Sequence, residues 1–266
     1  MLELFYRINK HSLMLPSHAR DTEEIVHKNM RMGIGVTGYL QATDEQKSWL
    51  DDGYKFVRTL DEEYSEKMGW PISIKLTTVK PSGTLSLLPG VTPGAHPGYA
   101  RYMYRRIRMS AEHMLVDVCK AHGYPVEYQI NLDKSKDFGT VVVTFPFSYP
   151  EGTTLAADMT AIDQLKVMKE LQQNWSDNSV SNTIYYKKEE LPKIREYLAE
   201  NYAKCHKTVS FLLHSDHGFI QAPYEEITKE VYDELVSKTT VITSVSNAGD
   251  FEDDGTDCAG GACPVR

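Results

Sequence analysis

Strand-like runs and helix-period segments take turns along most of this chain, and any candidate fold must satisfy that alternation. Runs rich in β-branched and aromatic residues occur at Ile72–Leu76, Val126–Ile130, Thr140–Phe147, Ser179–Tyr186 and Thr208–Leu213. Segments of ten or more residues with apolar positions three and four apart separate several of them. One covers Asp158 to Trp175, with Met159, Ile162, Leu165, Met168 and Leu171 on one stripe; others cover Glu189–Tyr202 and about Tyr224 to Lys238. Strands alternating with helices of that length predict an α/β architecture with a largely parallel sheet.

The remaining elements follow the same logic. Leu4, Phe5, Ile8, Leu13 and Leu15 form an apolar helical face that begins abruptly, with no N-cap. Asp21 and Thr22 are expected to cap a helix reaching Met30. Gly33, Gly35 and Gly38 follow and predict close backbone approach. Their order is not the dinucleotide-binding fingerprint, so tight helix packing is the expectation. Thr43 starts a helix to about Lys67, with Trp49, Phe56, Val57 and Leu60 on its apolar face and Gly69 as its stop. A long helix is expected from about Tyr99 to His122, ended by Gly123 and Pro125. Its first turns would carry Arg101, Arg105, Arg106 and Arg108, as either a solvated basic face or an anion-facing one.

Composition narrows the function classes. A formal net charge of −8 argues against a broadly nucleic-acid-binding surface. No run of 18 apolar residues occurs, so no membrane span is expected. The first residues, with Glu3 ahead of Arg7, do not make a signal peptide. Four cysteines do not make a disulfide framework, and reduced thiols in the cytoplasm are the default.

Two stretches carry candidate chemistry. Thr77-Thr78-Val79-Lys80-Pro81-Ser82-Gly83-Thr84-Leu85-Ser86 reads as a strand ending in a sharp turn, followed by a Gly/Pro-rich loop from Leu88 to Gly98. Its hydroxyls and N–H groups, opening a helical segment, suit a phosphate; the same Ser and Thr could equally be helix caps. From about Ser244 the chain turns acidic and poor in apolar residues, which predicts a flexible tail over 244–266 after a folded part over 1–243. That tail ends in Cys258-Ala259-Gly260-Gly261-Ala262-Cys263, whose small spacer can bend to close a disulfide. Thiol–disulfide exchange is the chemistry such a pair supports. A metal site would need further ligands, and no second Cys or His pair lies nearby in sequence. The pair could also be incidental. Cys119 reads as a buried structural thiol, as does Cys205 despite Lys204, His206 and Lys207 beside it. His214 and His217 could bind metal or occupy a polar loop.

Several motifs, taken in order, resemble the adenosylcobalamin-dependent ribonucleotide reductases, and in particular the monomeric ribonucleoside-triphosphate reductases. They are Arg31–Gly38, Lys80–Ser86, the Gly90–Gly98 loop, Tyr104–Arg106, Trp175–Ser181, Val209–Leu213 and the Cys-x4-Cys tail ending in Pro264-Val265-Arg266. The resemblance spans essentially the whole chain. It implies an α/β fold, the C-terminal part of a ten-stranded α/β barrel with a flexible tail. It implies radical reduction of the ribose 2′-carbon of ribonucleoside triphosphates, with adenosylcobalamin as cofactor. Pro81, Ser82, Gly83, Thr84, Leu85 and Ser86 would cradle the substrate phosphates. Cys258 and Cys263 would re-reduce the active-site disulfide and be reduced in turn by a thioredoxin-like carrier. The Asn-Pro-Cys-Gly-Glu-like segment that holds the family's thiyl-radical cysteine does not occur here. The expectation is therefore a C-terminal portion carrying roughly half of the barrel and acting with an N-terminal reductase fragment. A stand-alone dithiol redox or binding module, or an inactive relic, are the alternatives.

Overall fold

The computed structural model describes residues 1–213, 220–243 and 245. In chain order the elements are α1 (Leu2–Leu13), α2 (Arg20–Asn29), β1 (Arg31–Gly35), α3 (Asp44–Met68) and β2 (Lys75–Thr78). Then come β3 (Tyr102–Ser110), α4 (Leu115–Ala121), β4 (Val126–Ile130), β5 (Lys136–Ser148), α5 (Ala161–Asn174) and β6 (Thr183–Tyr186). The last are α6 (Leu191–Cys205), β7 (Ser210–Leu213), β8 (Tyr224–Glu226) and α7 (Lys229–Lys238). The described residues fall into two compact units: 1–97 with 158–213, and 98–157 with 220–243 and 245.

The first unit is the parallel α/β part. β1 pairs with β2 and β6 with β7, both in parallel. A parallel bridge between Val79 and Val180 joins the end of β2 to the lead-in of β6. Helices cover these strands because their apolar stripes need burial. On α5, Leu165, Met168 and Leu171 are buried against a core that includes Met32, Ile34, Leu76 and Ile184. Local signals set the helix ends. Thr43 and Gln46 form a capping box for α3, and Gly69 closes it in the left-handed conformation. Thr160 and Asp163 do the same at the start of α5. α1 is held to α3 by a buried ion pair, Lys10 Nζ to Asp61 Oδ1 at 2.8 Å, with both side chains fully buried. Lys10 also donates to the Pro71 carbonyl and Ser73 Oγ, while Asp61 accepts from the Tyr6 hydroxyl and the Ser73 N–H. Burial alone would raise the Asp61 carboxyl, but the bonds from Lys10 and Ser73 outweigh it and hold it below its ordinary value.

The second unit is antiparallel, in the order β4-β5-β3-β8. Here the expected helix from Tyr99 to His122 is replaced by strand β3 and the short helix α4. Met103 and Arg105 are buried while their neighbours Tyr102, Tyr104 and Arg106 are less so, which is the period of a strand. β3 pairs along its whole length with β5, Tyr102 opposite Ser148 through Ser110 opposite Thr140. The sheet content is thus parallel in one unit and antiparallel in the other, not parallel throughout. Two smaller departures accompany this. Arg31–Gly35 is a strand and not a helix-packing segment, and the expected helix from Tyr224 begins instead with edge strand β8 before α7. α2 starts two to three residues earlier than expected, with Ala19 at its N-cap in place of Asp21 or Thr22. Among the described residues no helix is long and apolar enough to cross a membrane.

Candidate functional site

The Pro81–Ser86 loop is placed by the strand before it and by the turn after α5. Asp177 accepts from the Leu76 N–H at 2.9 Å, from Arg58 at 2.7 Å and from the Tyr54 hydroxyl at 2.9 Å. Asn178 donates to the carbonyls of Thr77 in β2 (2.7 Å) and Met32 in β1 (3.0 Å). The Trp175 indole N–H donates to the Thr78 carbonyl at 3.1 Å, and the Ser181 N–H to that of Val79 at 2.9 Å. One short polar stretch therefore stitches β1, β2 and the lead-in of β6 together. Its sequence, Trp-Ser-Asp-Asn between a helix and a strand, matched the resemblance, but no role was readable from it. Short side chains that bond backbone, concentrated between two regular elements, were the available signal.

Beyond Val79 the backbone turns sharply. Ser82 has a positive φ of 56°, and its carbonyl accepts the Ser86 N–H at 3.0 Å. The loop closes with a three-residue 3-10 turn, Leu85–Leu87, in which Leu87 N–H bonds the Thr84 carbonyl. So short a turn carries little macrodipole; what it offers is hydrogen-bond donors. Ser82, Gly83 and Ser86 are buried, while Thr84 and Leu85 are exposed at the tip. Among the described residues the N–H groups of Thr84 and Leu85 donate to no carbonyl. Ser86 Oγ is buried and has no hydrogen-bond partner there.

A second loop packs behind the first. Gly94 has φ of 56°, and a Cβ on it would lie 2.3 Å from the Lys80 carbonyl oxygen, so no larger residue fits. Its N–H donates to Thr37 Oγ1 at 2.9 Å, and its carbonyl accepts from the Tyr39 N–H at 3.2 Å. Burial with no opposing charge pushes His96 down to about 4, so its imidazole is neutral at pH 7.

The arginines in and just before β3 bond neighbouring backbone, although Arg106 also faces a carboxylate and Arg108 is exposed. Arg106 donates to the Ala222 carbonyl and pairs with Glu225 at 2.5 Å, and Arg108 donates to Gln129 Oε1 and the Gln221 carbonyl. Arg105 donates to the Arg106 and Pro223 carbonyls and stacks over Tyr224 at 4.5 Å; Arg101 donates to the Tyr149 and Pro150 carbonyls.

Cys119 is buried in α4, and burial pushes its thiol up, away from thiolate chemistry. Cys205 is buried and donates to the Asn201 carbonyl. Cys258, Cys263, His214 and His217 lie outside the described residues. Among the described residues no group of three or more His, Cys, Asp or Glu side chains is placed to hold a metal.

The first unit is a parallel α/β unit with a loop at the end of β2, and the relatives give the chain a family. The family described as the ribonucleotide reductase barrel domain matches residues 59–212. The adenosylcobalamin-dependent ribonucleoside-triphosphate reductase of Euglena gracilis is 36% identical over 88% of this chain and 32% of its own length. That of Lactobacillus acidophilus is 33% identical over 92% of this chain and 38% of its own. A crystal structure of a B12-dependent (class II) ribonucleotide reductase superposes with a TM-score of 0.75 at 29% identity, over 91% of this chain and 38% of that one. This chain belongs to the ribonucleotide reductase barrel-domain family, and its fold is the barrel-domain fold of the class II enzymes. It spans about a third of the length of the curated relatives it matches.

Proposed function

We propose that this chain serves the reduction of ribonucleoside triphosphates to deoxyribonucleotides, as the part that holds the substrate's phosphates and supplies the reducing dithiol. In that reaction the ribose 2′-hydroxyl leaves as water and a hydrogen takes its place; two thiols supply two electrons and two protons and close to a disulfide. The observation that carries the phosphate role is the tip of the Pro81–Ser86 loop. There, Thr84 and Leu85 N–H groups unused by any carbonyl among the described residues stand between the hydroxyls of Ser82 and Ser86. Phosphate oxygens are acceptors only, and such donors suit them.

Cys258 and Cys263, in the tail over 244–266, are the proposed dithiol, recharged by a thioredoxin-like carrier. The rest of the barrel, including the radical-bearing cysteine, would come from an N-terminal reductase part. Adenosylcobalamin, the cofactor named for the relatives, would supply the radical chemistry when bound. Cavities of about 420 Å³ (around Tyr128 and Lys136) and 370 Å³ (around Lys47 and Asp51) are of the size that holds a drug-like molecule and not a corrin.

Thr84→Pro tests the loop, because it deletes one of these unused N–H groups without breaking an internal bond; Thr84 stands at φ −100°, so circular dichroism and a urea midpoint must first match wild type. A hydrogen bond to a charged group contributes roughly 1.5–3 kcal/mol, so affinity for a nucleoside triphosphate should fall about ten- to a hundredfold with the fold intact. Unchanged affinity by titration calorimetry would remove the phosphate role.

A further inference from the structure

β6 runs past the end of β2, and the gap is closed by side chains. The Ser181 N–H still finds a strand carbonyl, that of Val79. The Thr183 N–H finds Nε2 of His96 at 3.0 Å. Two residues on, Gln164 accepts from the Tyr185 N–H and donates to the Tyr185 carbonyl, each at 3.0 Å. At the far side of its ring, His96 Nδ1 lies 3.0 Å from the Pro93 carbonyl. A carbonyl only accepts, so Nδ1 carries the hydrogen, which leaves the Nε2 lone pair for Thr183. A single tautomer satisfies both neighbours of this buried ring.

The segment that carries His96 is the wall behind the phosphate loop. Gly94 presses on the Lys80 carbonyl, Thr92 accepts the Gly38 N–H at 2.9 Å, and the Val91 N–H bonds the Ser86 carbonyl at 3.0 Å. On one side this wall is fastened to Thr37–Gln41; on the other, the bond to Thr183 fastens it to β6.

We propose that His96 is a positioning residue for phosphate binding. Its Nε2 acceptor ties the Thr92–Pro97 segment to Thr183 and so holds the Pro81–Ser86 loop in its donor-presenting shape. This rests on the phosphate reading of that loop. His96 does not touch the phosphate; it acts through the backbone between itself and Lys80.

Two substitutions separate the acceptor from the bulk of the ring. Gln at position 96 can place Oε1 where Nε2 stands and keep the bond to Thr183. Asn reaches only to the Pro93 side. The whole 266-residue chain is titrated with ATP and with inorganic tripolyphosphate by calorimetry, with circular dichroism confirming that each variant is folded. His96→Gln should bind within about threefold of wild type, and His96→Asn about tenfold more weakly, the effect of one lost buried hydrogen bond. If His96→Asn binds as wild type does while Thr84→Pro does not, the positioning role is wrong and the loop reading stands. Equal loss in both His96 variants overturns the acceptor assignment. No binding by the wild-type chain overturns the loop reading, and this proposal with it.

Discussion

His96 sits where burial and a donor N–H both oppose protonation, and that makes it a measurable acid sensitivity. Unfolded, the ring titrates near 6.5; folded, near 4. Between those values the unfolded state binds the extra proton, so stability is full above about pH 6.5 and declines as pH falls toward 4, then levels off. The whole window is worth about 3 kcal/mol, from 1.36 kcal/mol per unit. Urea midpoints for wild type and His96→Gln at pH 7 and pH 4.5 isolate the contribution, since Gln does not titrate. The wild type should lose more than the variant; parallel losses would show that His96 ionises freely. Asp61 behaves with the opposite chemistry and the same sign. Its depressed carboxyl supports the fold above the ordinary carboxylate range and stops doing so as pH falls through its lowered value.

At the scale of elements, the Trp175–Ser181 stretch does what a neighbouring strand would otherwise do. The Asn178 amide donates to two strand carbonyls, so Asn178→Ala takes that donor from Met32 and leaves Thr77 only the residue's own backbone N–H, and should cost about 2 kcal/mol. Asn178→Asp, nearly the same shape, sets a carboxylate oxygen against those carbonyls and should cost more; chemical denaturation of the two variants checks the order. Most of the parallel unit was readable because its code is conventional; β1, with three of its five residues Arg or Gly, was not. β-branched runs end in Gly or Pro, and Thr43, Gly69 and the stripe on α5 mark helices by spacing and caps. β3 was misread for a physical reason. Arg105 is buried yet charged, and Arg106 and Arg108 bond backbone on the neighbouring edge, so inward and outward positions are not distinguished by polarity. The Tyr/Arg run then imitates an amphipathic helix. The donor loop was visible as Pro-Ser-Gly-Thr, but its support was not. The bonds from Asp177, Asn178 and His96 join residues about a hundred positions apart in sequence, and no local pattern encodes them.

At the scale of the molecule, the end of the described chain is fastened down. β8 pairs with β3, α7 stacks Tyr232 on Tyr102, and the Thr240 N–H bonds the His122 carbonyl. Gly123, with φ of 83°, lets the Lys238 carbonyl come so close that a Cβ there would be 2.2 Å away. The proposed dithiol follows this fastened end in the sequence. Fifteen peptide steps separate Thr243 from Cys258, and at roughly 3.3–3.6 Å each they limit that thiol to a sphere of about 50 Å radius. With 244–257 acting as the proposed tether, thiol delivery would be a matter of local concentration, which falls roughly as the −3/2 power of tether length once the span is reached. Doubling the tether with Gly and Ser should therefore slow protein-dithiol-driven turnover about two- to threefold while leaving turnover with a small diffusible dithiol unchanged. Equal slowing with both reductants would show that the cysteines do not work on a leash.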